Sequence, residues 1–246
     1  MANGQFLTYV GTASGATTLY APVAFNNAYG GYATGMGIEN VGASTATVTI
    51  TYSGQVGSAT ATQTYTETFT VPVGGYVGDY NGRTDANPVV NPLPDQFHGS
   101  ATITSTQPLV EIVNEIQTGQ VPGTSYNTFA SGSRVVRLPL VENALNGFST
   151  GMAVENVGSG TATVTITYAD PSTGNQVGTS NASPLTLAPG QFAGIYQGPG
   201  GDGGVPSGTR ATATLTASGT GVQLAVIVNQ RSNSSFMSYI SQVVGP

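Results

Sequence analysis

The chain has 246 residues, five basic side chains against eleven acidic ones and a net charge of −6, and only 7% of its residues are charged, far below the roughly one quarter usual in globular domains. It holds no Lys, Cys or Trp and a single His, which excludes disulfides, thiolate nucleophiles, Cys-ligated metals, phosphate-loop lysines and the basic stripe that nucleic acid requires. Its 12 Tyr and 8 Phe, with abundant Val, Ile and Thr, mark folded β structure rather than disorder, and no apolar run approaches the roughly 20 residues of a membrane-spanning helix.

The first candidate strand is Phe6-Leu7-Thr8-Tyr9-Val10, half-buried by its alternation; nothing before it has the basic start and apolar core of a signal peptide. Gly11–Thr18 reads as a connector, and Leu19-Tyr20-Ala21-Pro22 opens a domain. In Thr45–Tyr52 the even positions are Ala46, Val48, Ile50 and Tyr52 and every odd one is Thr, the period-two pattern of a strand with one buried and one wet face. Gly54-Gln55-Val56-Gly57 is expected to be a turn, followed by strands over Thr64–Val71, Ser100–Ser105 and Leu109–Ile116. No segment shows helical periodicity.

The second half repeats the first. Gly31–Tyr52 and Gly147–Tyr168 agree at 16 of 22 positions, Gly74, Gly78, Tyr80 and Gly82 recur as Gly190, Gly194, Tyr196 and Gly198, and Ile112-Val113-Asn114 recurs as Ile227-Val228-Asn229. Two copies of seven or eight short strands predict an all-β protein of two tandem antiparallel β-sandwiches, Ig-like or jelly-roll-like, with an extra N-terminal strand. The boundaries read as 1–18 for the extra strand and linker, 19–133 for the first sandwich and 134–246 for the second, with Ser131-Gly132-Ser133 as the internal connector. Tyr126–Ser131 and Phe236–Ser241 each close a copy, and Phe6–Gly11 has the same pattern. Three closing-type strands serve two domains, so one is spare.

The order of LYAPV or RLPLV, E-N-V-G, T-A-T-V-T-I-T-Y, A-P-G-Q and I-V-N resembles the tandem β-sandwich repeats of bacterial, Chloroflexi-type extracellular and cell-surface proteins. The resemblance runs from Phe6 over nearly the whole chain and implies stalk, spacer, surface-layer or fibre modules, with no activity attached.

Candidates for chemistry are sparse. His98, the one residue suited to act as a base near neutral pH, stands at the head of a predicted strand and reads as a surface or strand-edge residue. Glu111 and Glu115 share a strand face, and Glu39 and Glu155 each sit in an E-N-V-G, where turn hydrogen bonding outweighs a glycosidase pair. Asp79, Asp85, Asn87, Asp95 and Asp202 leave calcium open, though no D-x-[DN]-x-[DN]-G run is present. Tyr29, Tyr32, Tyr76 and Tyr80 could stack on sugars, but the recurrence of Tyr80 as Tyr196 favours a core or corner role. Gly198–Gly204 lacks the Lys and helix of a phosphate loop. Asn181-Ala182-Ser183 and Asn233-Ser234-Ser235 match the N-glycosylation acceptor.

The expectation is a non-enzymatic structural subunit without cofactor: a pilus-like extracellular filament or cell-surface array, its leader outside this sequence. Its partner would be itself, a homopolymer joined by donor-strand complementation through Phe6, Leu7, Thr8, Tyr9 and Val10. The alternatives are an adhesin or carbohydrate-binding module for surface glycans, and a virion capsid or tail protein.

Overall fold

The computed structural model describes residues 11, 14–81, 93–118 and 123–243. The chain divides into two compact units, Met1–Ala130 and Ser131–Pro246, and all regular structure among the described residues is antiparallel β.

The first unit contains β1 (Ala16–Asn26), β2 (Tyr32–Asn40), β3 (Ala46–Val56), β4 (Gln63–Val71), β5 (Tyr76–Tyr80), β6 (Phe97–Gln117) and β7 (Gly123–Asn127). β6 runs for 21 residues and serves both layers of a sandwich. Its first part, Phe97–Ser105, lies between β1 and β3, and its later part, Leu109–Gln117, between β2 and β7. β4 extends the first layer beyond β3, and β5 extends the second beyond β2. The alternation in β3 works as read: Ala46, Val48, Ile50 and Tyr52 are buried while the intervening threonines face outward. Thr47, Thr49 and Thr51 pair with Thr70, Thr68 and Thr66 of β4. This hydroxyl ladder wets the face without charge, and Thr49 and Thr68 join through their Oγ atoms at 3.1 Å.

The second unit contains β8 (Val135–Asn143), β9 (Ser149–Asn156), β10 (Ala162–Ala169), β11 (Gln176–Thr179), β12 (Leu185–Leu187), β13 (Phe192–Gln197), β14 (Thr209–Ser218), β15 (Leu224–Arg231), β16 (Phe236–Ile240) and β17 (Gln242–Val243). One sheet has the order β11-β10-β14-β8-β17 with β12 also on β10, and the other has the order β13-β9-β15-β16. Val136, Leu138, Val164, Ile166, Tyr168 and Leu215 from the first meet Met152, Val154, Ile195, Val226 and Val228 from the second in one buried core.

Three readings need correction. The two strands expected over Ser100–Ser105 and Leu109–Ile116 are one continuous β6, whereas their counterparts β14 and β15 are separate. The second copy breaks at Gly219-Thr220-Gly221, where both glycines have positive φ (128° and 68°), a conformation glycine enters without steric cost; Thr106-Gln107-Pro108 has no glycine and stays extended. The expected turn at Gly54–Gly57 begins only at Gly57. Gly54 stays in β3 opposite Gly99, where a Cβ would meet the His98 carbonyl oxygen at 2.3 Å, with the Phe97 ring beside it. The opening strand starts at Ala16 rather than Leu19, because Ala16 already pairs with Leu109.

Candidate functional site

Each unit is closed by a strand that touches both of its layers. In the first, β7 adds to β6; Ser125 Oγ donates to Asn114 Oδ1 at 2.7 Å, and Tyr126 Oη donates to the Val23 carbonyl at 3.1 Å and accepts from the Val23 N–H at 3.2 Å. Three residues on, Phe129 exchanges both backbone hydrogen bonds with Tyr20 of β1 (2.8 and 2.9 Å). The second unit repeats this arrangement. β16 adds to β15, Ser238 Oγ donates to Asn229 Oδ1, Tyr239 Oη donates to the Leu140 carbonyl, and Gln242 pairs with Arg137 of β8.

The signature is a hydroxyl residue, then Tyr, then Gly six residues after the Tyr: Ser125-Tyr126 with Gly132, Ser238-Tyr239 with Gly245, and Thr8-Tyr9 with Gly15. Phe6, Leu7, Thr8, Tyr9 and Val10 lie outside the described residues. Gly15 is described, and it packs as Gly132 does. A Cβ on Gly15 would meet the Leu109 carbonyl oxygen at 2.8 Å and Val41 Cγ2 at 2.6 Å; on Gly132 it would meet the Leu224 oxygen and Val157 Cγ2, both at 2.6 Å. In both units the slot beside the Asn-bearing strand holds that unit's own closing strand.

Sequence reading did not anticipate the buried acidic cluster of the first unit. Tyr52 Oη lies 2.6 Å from both Glu67 Oε1 and Asp79 Oδ2. One hydroxyl has one proton to donate, so the second short contact requires a protonated carboxyl. Burial holds both acids above the ordinary carboxyl range, Glu67 up to about 8, with the neighbouring Asp79 charge as its next cause. Glu111 is buried, with no hydrogen-bond partner at either oxygen; burial and then the Asp79 charge push it up to about 8. Tyr52 is pushed well above its usual value, first by burial and then by the two carboxylates. The second unit places Ser180, Ile195 and Val226 at the matching register positions. There Tyr168 Oη accepts from Gln197 Nε2 at 2.9 Å, and Gln197 also donates to Asp202 Oδ2 at 3.0 Å.

Glu111 and Glu115 do share a face, and it is the interior one (5% and 0% exposed), which removes them from any substrate in solvent. Glu39 is exposed and Glu155 buried, so the repeat does not preserve their setting. What the E-N-V-G repeat preserves is its Asn. Asn40 Nδ2 donates to the Ser44 and Val71 carbonyls (2.8 and 3.0 Å) and its Oδ1 accepts from Gly42 N–H at 2.9 Å; Asn156 does the same with Gly160, Leu187 and Gly158.

The calcium candidates are dispersed. Asp79 is in the core cluster, Asp95 accepts from Asn27 Nδ2 at 2.7 Å, Asp202 accepts from Ala182 N–H at 2.7 Å, and Asp85 and Asn87 lie outside the described residues. Among the described residues no three His, Asp or Glu side chains are grouped to hold a metal. Gly198–Gly204 folds back on its own strand, Asp202 N–H donating to the Tyr196 carbonyl at 2.7 Å. Tyr196 is 41% exposed, which removes the core half of its core-or-corner reading, while Tyr32 is buried. Asn181 and Asn233 are both exposed. His98 is central rather than at an edge, paired with Phe25 of β1 and Gln55 of β3. With Asn27, Tyr29, Gln96 and Thr118 it lines a cleft of about 570 Å³.

No protein-family model and no curated protein matches this chain. Among solved structures, the Thermotoga maritima 1070 protein is similar over 47% of this chain and 94% of its own, at 16% identity and a TM-score of 0.32. A protein of Parabacteroides distasonis ATCC 8503 inferred to be secreted is similar over 90% of this chain and 76% of its own, at 10% identity and a TM-score of 0.24. No helix among the described residues is long and apolar enough to cross a membrane.

Proposed function

We propose that this chain is a structural subunit of an extracellular filament or cell-surface array, in which residues 6–10 of one copy add as a closing strand to a sandwich of the next. The observation that carries the reading is the triple recurrence of the closing signature, at identical spacing, around two sandwiches. The segment Phe6-Leu7-Thr8-Tyr9-Val10 matches Phe236-Met237-Ser238-Tyr239-Ile240 residue for residue in character, more closely than it matches Gly123–Asn127. The favoured recipient is therefore the β15–β8 slot of a neighbour's second unit, taken in exchange with β16. Strand addition supplies continuous backbone hydrogen bonds, and a head-to-tail contact that does not close propagates a fibre. The near-absence of charge lowers repulsion between packed copies, and no Lys guards the sheet edges, where natural proteins often place it.

The test is removal of residues 1–10, which leaves β1 intact from Ala16. Negative-stain microscopy is expected to show filaments from the full chain, with the shortened chain folded and unassembled. Filaments from the shortened chain would refute strand addition.

A further inference from the structure

We propose that the cleft beside the β1–β2 turn of the first unit binds a neutral sugar, with the Tyr29 ring as its stacking platform. This proposal is independent of assembly and applies to a single copy.

Similar turns join the first two strands of each unit, the first being one residue longer through Gly31 (Ala28 closes on Tyr32, Leu145 on Phe148), and only the first carries an aromatic at its left-handed positions. Asn27, Tyr29 and Gly30 have φ of 53°, 48° and 85°, and Ala144, Asn146 and Gly147 repeat these at 54°, 51° and 83°. At the middle position the second unit has Asn, which tolerates left-handed backbone, whereas the first has a bulky aromatic, which does not. Local strain of this kind persists where the side chain serves something other than the fold. Tyr29 does not gain a core position in return, since it remains 59% exposed.

Its ring is nevertheless held. Phe25 meets it edge-on with centroids 5.4 Å apart, and the His98 ring lies 5.0 Å away at 47°. Phe25 and His98 are themselves paired across β1 and β6, so two regular strands fix the platform, and a flat apolar face needs such fixing to receive a sugar ring.

The rim supplies polar groups. Asn27 Nδ2 is anchored on Asp95 Oδ1, and His98 Nδ1 lies 3.3 Å from the Gln96 carbonyl, leaving Asn27 Oδ1 and His98 Nε2 for a ligand. Among the described residues no hydrogen bond engages the Tyr29 hydroxyl, the Gln96 amide or the Thr118 hydroxyl. These are donors and acceptors of the kind that match sugar hydroxyls.

The charge pattern selects the class. Among the described residues no Arg lines the cleft and Asp95 stands beside it, which disfavours phosphorylated, sulfated or carboxylated ligands. In the second unit Asn146 and Arg210 replace Tyr29 and His98, and Arg210 is engaged with Glu142 at 3.6 Å. Among the described residues the site is therefore built in the first unit and not at the matching turn of the second.

An array of neutral β-glucan, xylan, mannan and chitin oligosaccharides, followed by calorimetric titration of the best binder, tests this on the full chain. The expected result is retention of at least one class at one site per chain. Tyr29→Phe is expected to preserve it and Tyr29→Asn to weaken it by about tenfold or more, with the Asn variant melting no lower than the parent because the strain is relieved. Failure of every neutral glycan to bind the parent would overturn the proposal, as would undiminished binding by Tyr29→Asn. A clear fall in Tm for Tyr29→Asn would also overturn it, because the ring would then be a packing residue.

Discussion

The two units share their strand order, their closing strands and their E-N-V-G turns, yet their interiors are chemically unlike. Around Tyr52 the first unit gathers Glu67, Asp79 and Glu111, where the second surrounds Tyr168 with Ser180, Ile195 and Val226. The alternation that forms the sandwich asks only that inward positions be buried. It does not ask that they be apolar, provided that an inward acid keeps its proton. The first unit is thus a sandwich whose core holds protons, and the second is one whose core holds none at these positions.

The largest consequence is a difference in pH response. A carboxyl raised from 4.5 to about 8 in the folded state stays protonated there after the unfolded chain has lost its proton. Its stabilising effect is complete below about pH 4.5, falls as pH rises, and is gone above about pH 8. Glu111 alone corresponds to roughly 4–5 kcal/mol across that window, with Glu67 acting in the same direction. Hydrogen exchange resolved by unit at pH 5 and pH 8 should show protection lost in the first unit and kept in the second. Equal loss in both would break the comparison.

Next in size, Glu111→Val installs the residue found at the matching position of the second unit. It should stabilise the first unit by about 2–4 kcal/mol at pH 8 and by much less at pH 4.5, flattening the pH dependence seen in thermal melts. Tyr52→Phe removes the donor shared by Glu67 and Asp79 and should cost about 2–3 kcal/mol; Tyr168→Phe leaves Gln197 on Asp202 and should cost about 1 kcal/mol. The smallest contrast is a deliberate null. Asn40→Ala and Asn156→Ala remove the same three hydrogen bonds and should each cost about 1–2 kcal/mol, matched to within about 0.5 kcal/mol by denaturant titration.

Much of this was legible in the residues. Period-two alternation located β3 and β10, the repeat paired the units, and the Asn of E-N-V-G carries the turn in both. Glu67 was legible too, since outward threonines at 64, 66, 68 and 70 place it inward with Tyr65, Phe69 and Val71. Its meeting with Asp79 was not, because β5 is five residues long and its face depends on pairing with β2. The continuity of β6 was hidden for a related reason: a turn is signalled by glycine, but its absence at Gln107-Pro108 becomes informative only beside Gly219 and Gly221. The aromatic platform at Tyr29 depends on a backbone angle that no composition reveals.

The central claim, that residues 6–10 close a sandwich of another copy, has one direct measurement. Thr8 matches Ser238, which pairs with Asn229 in register, at a spacing across antiparallel strands that a disulfide can bridge. In a chain with no cysteine of its own, the double variant Thr8→Cys with Asn229→Cys should give a ladder of covalent multimers on a non-reducing gel. Only monomer under the same oxidising conditions would contradict the account.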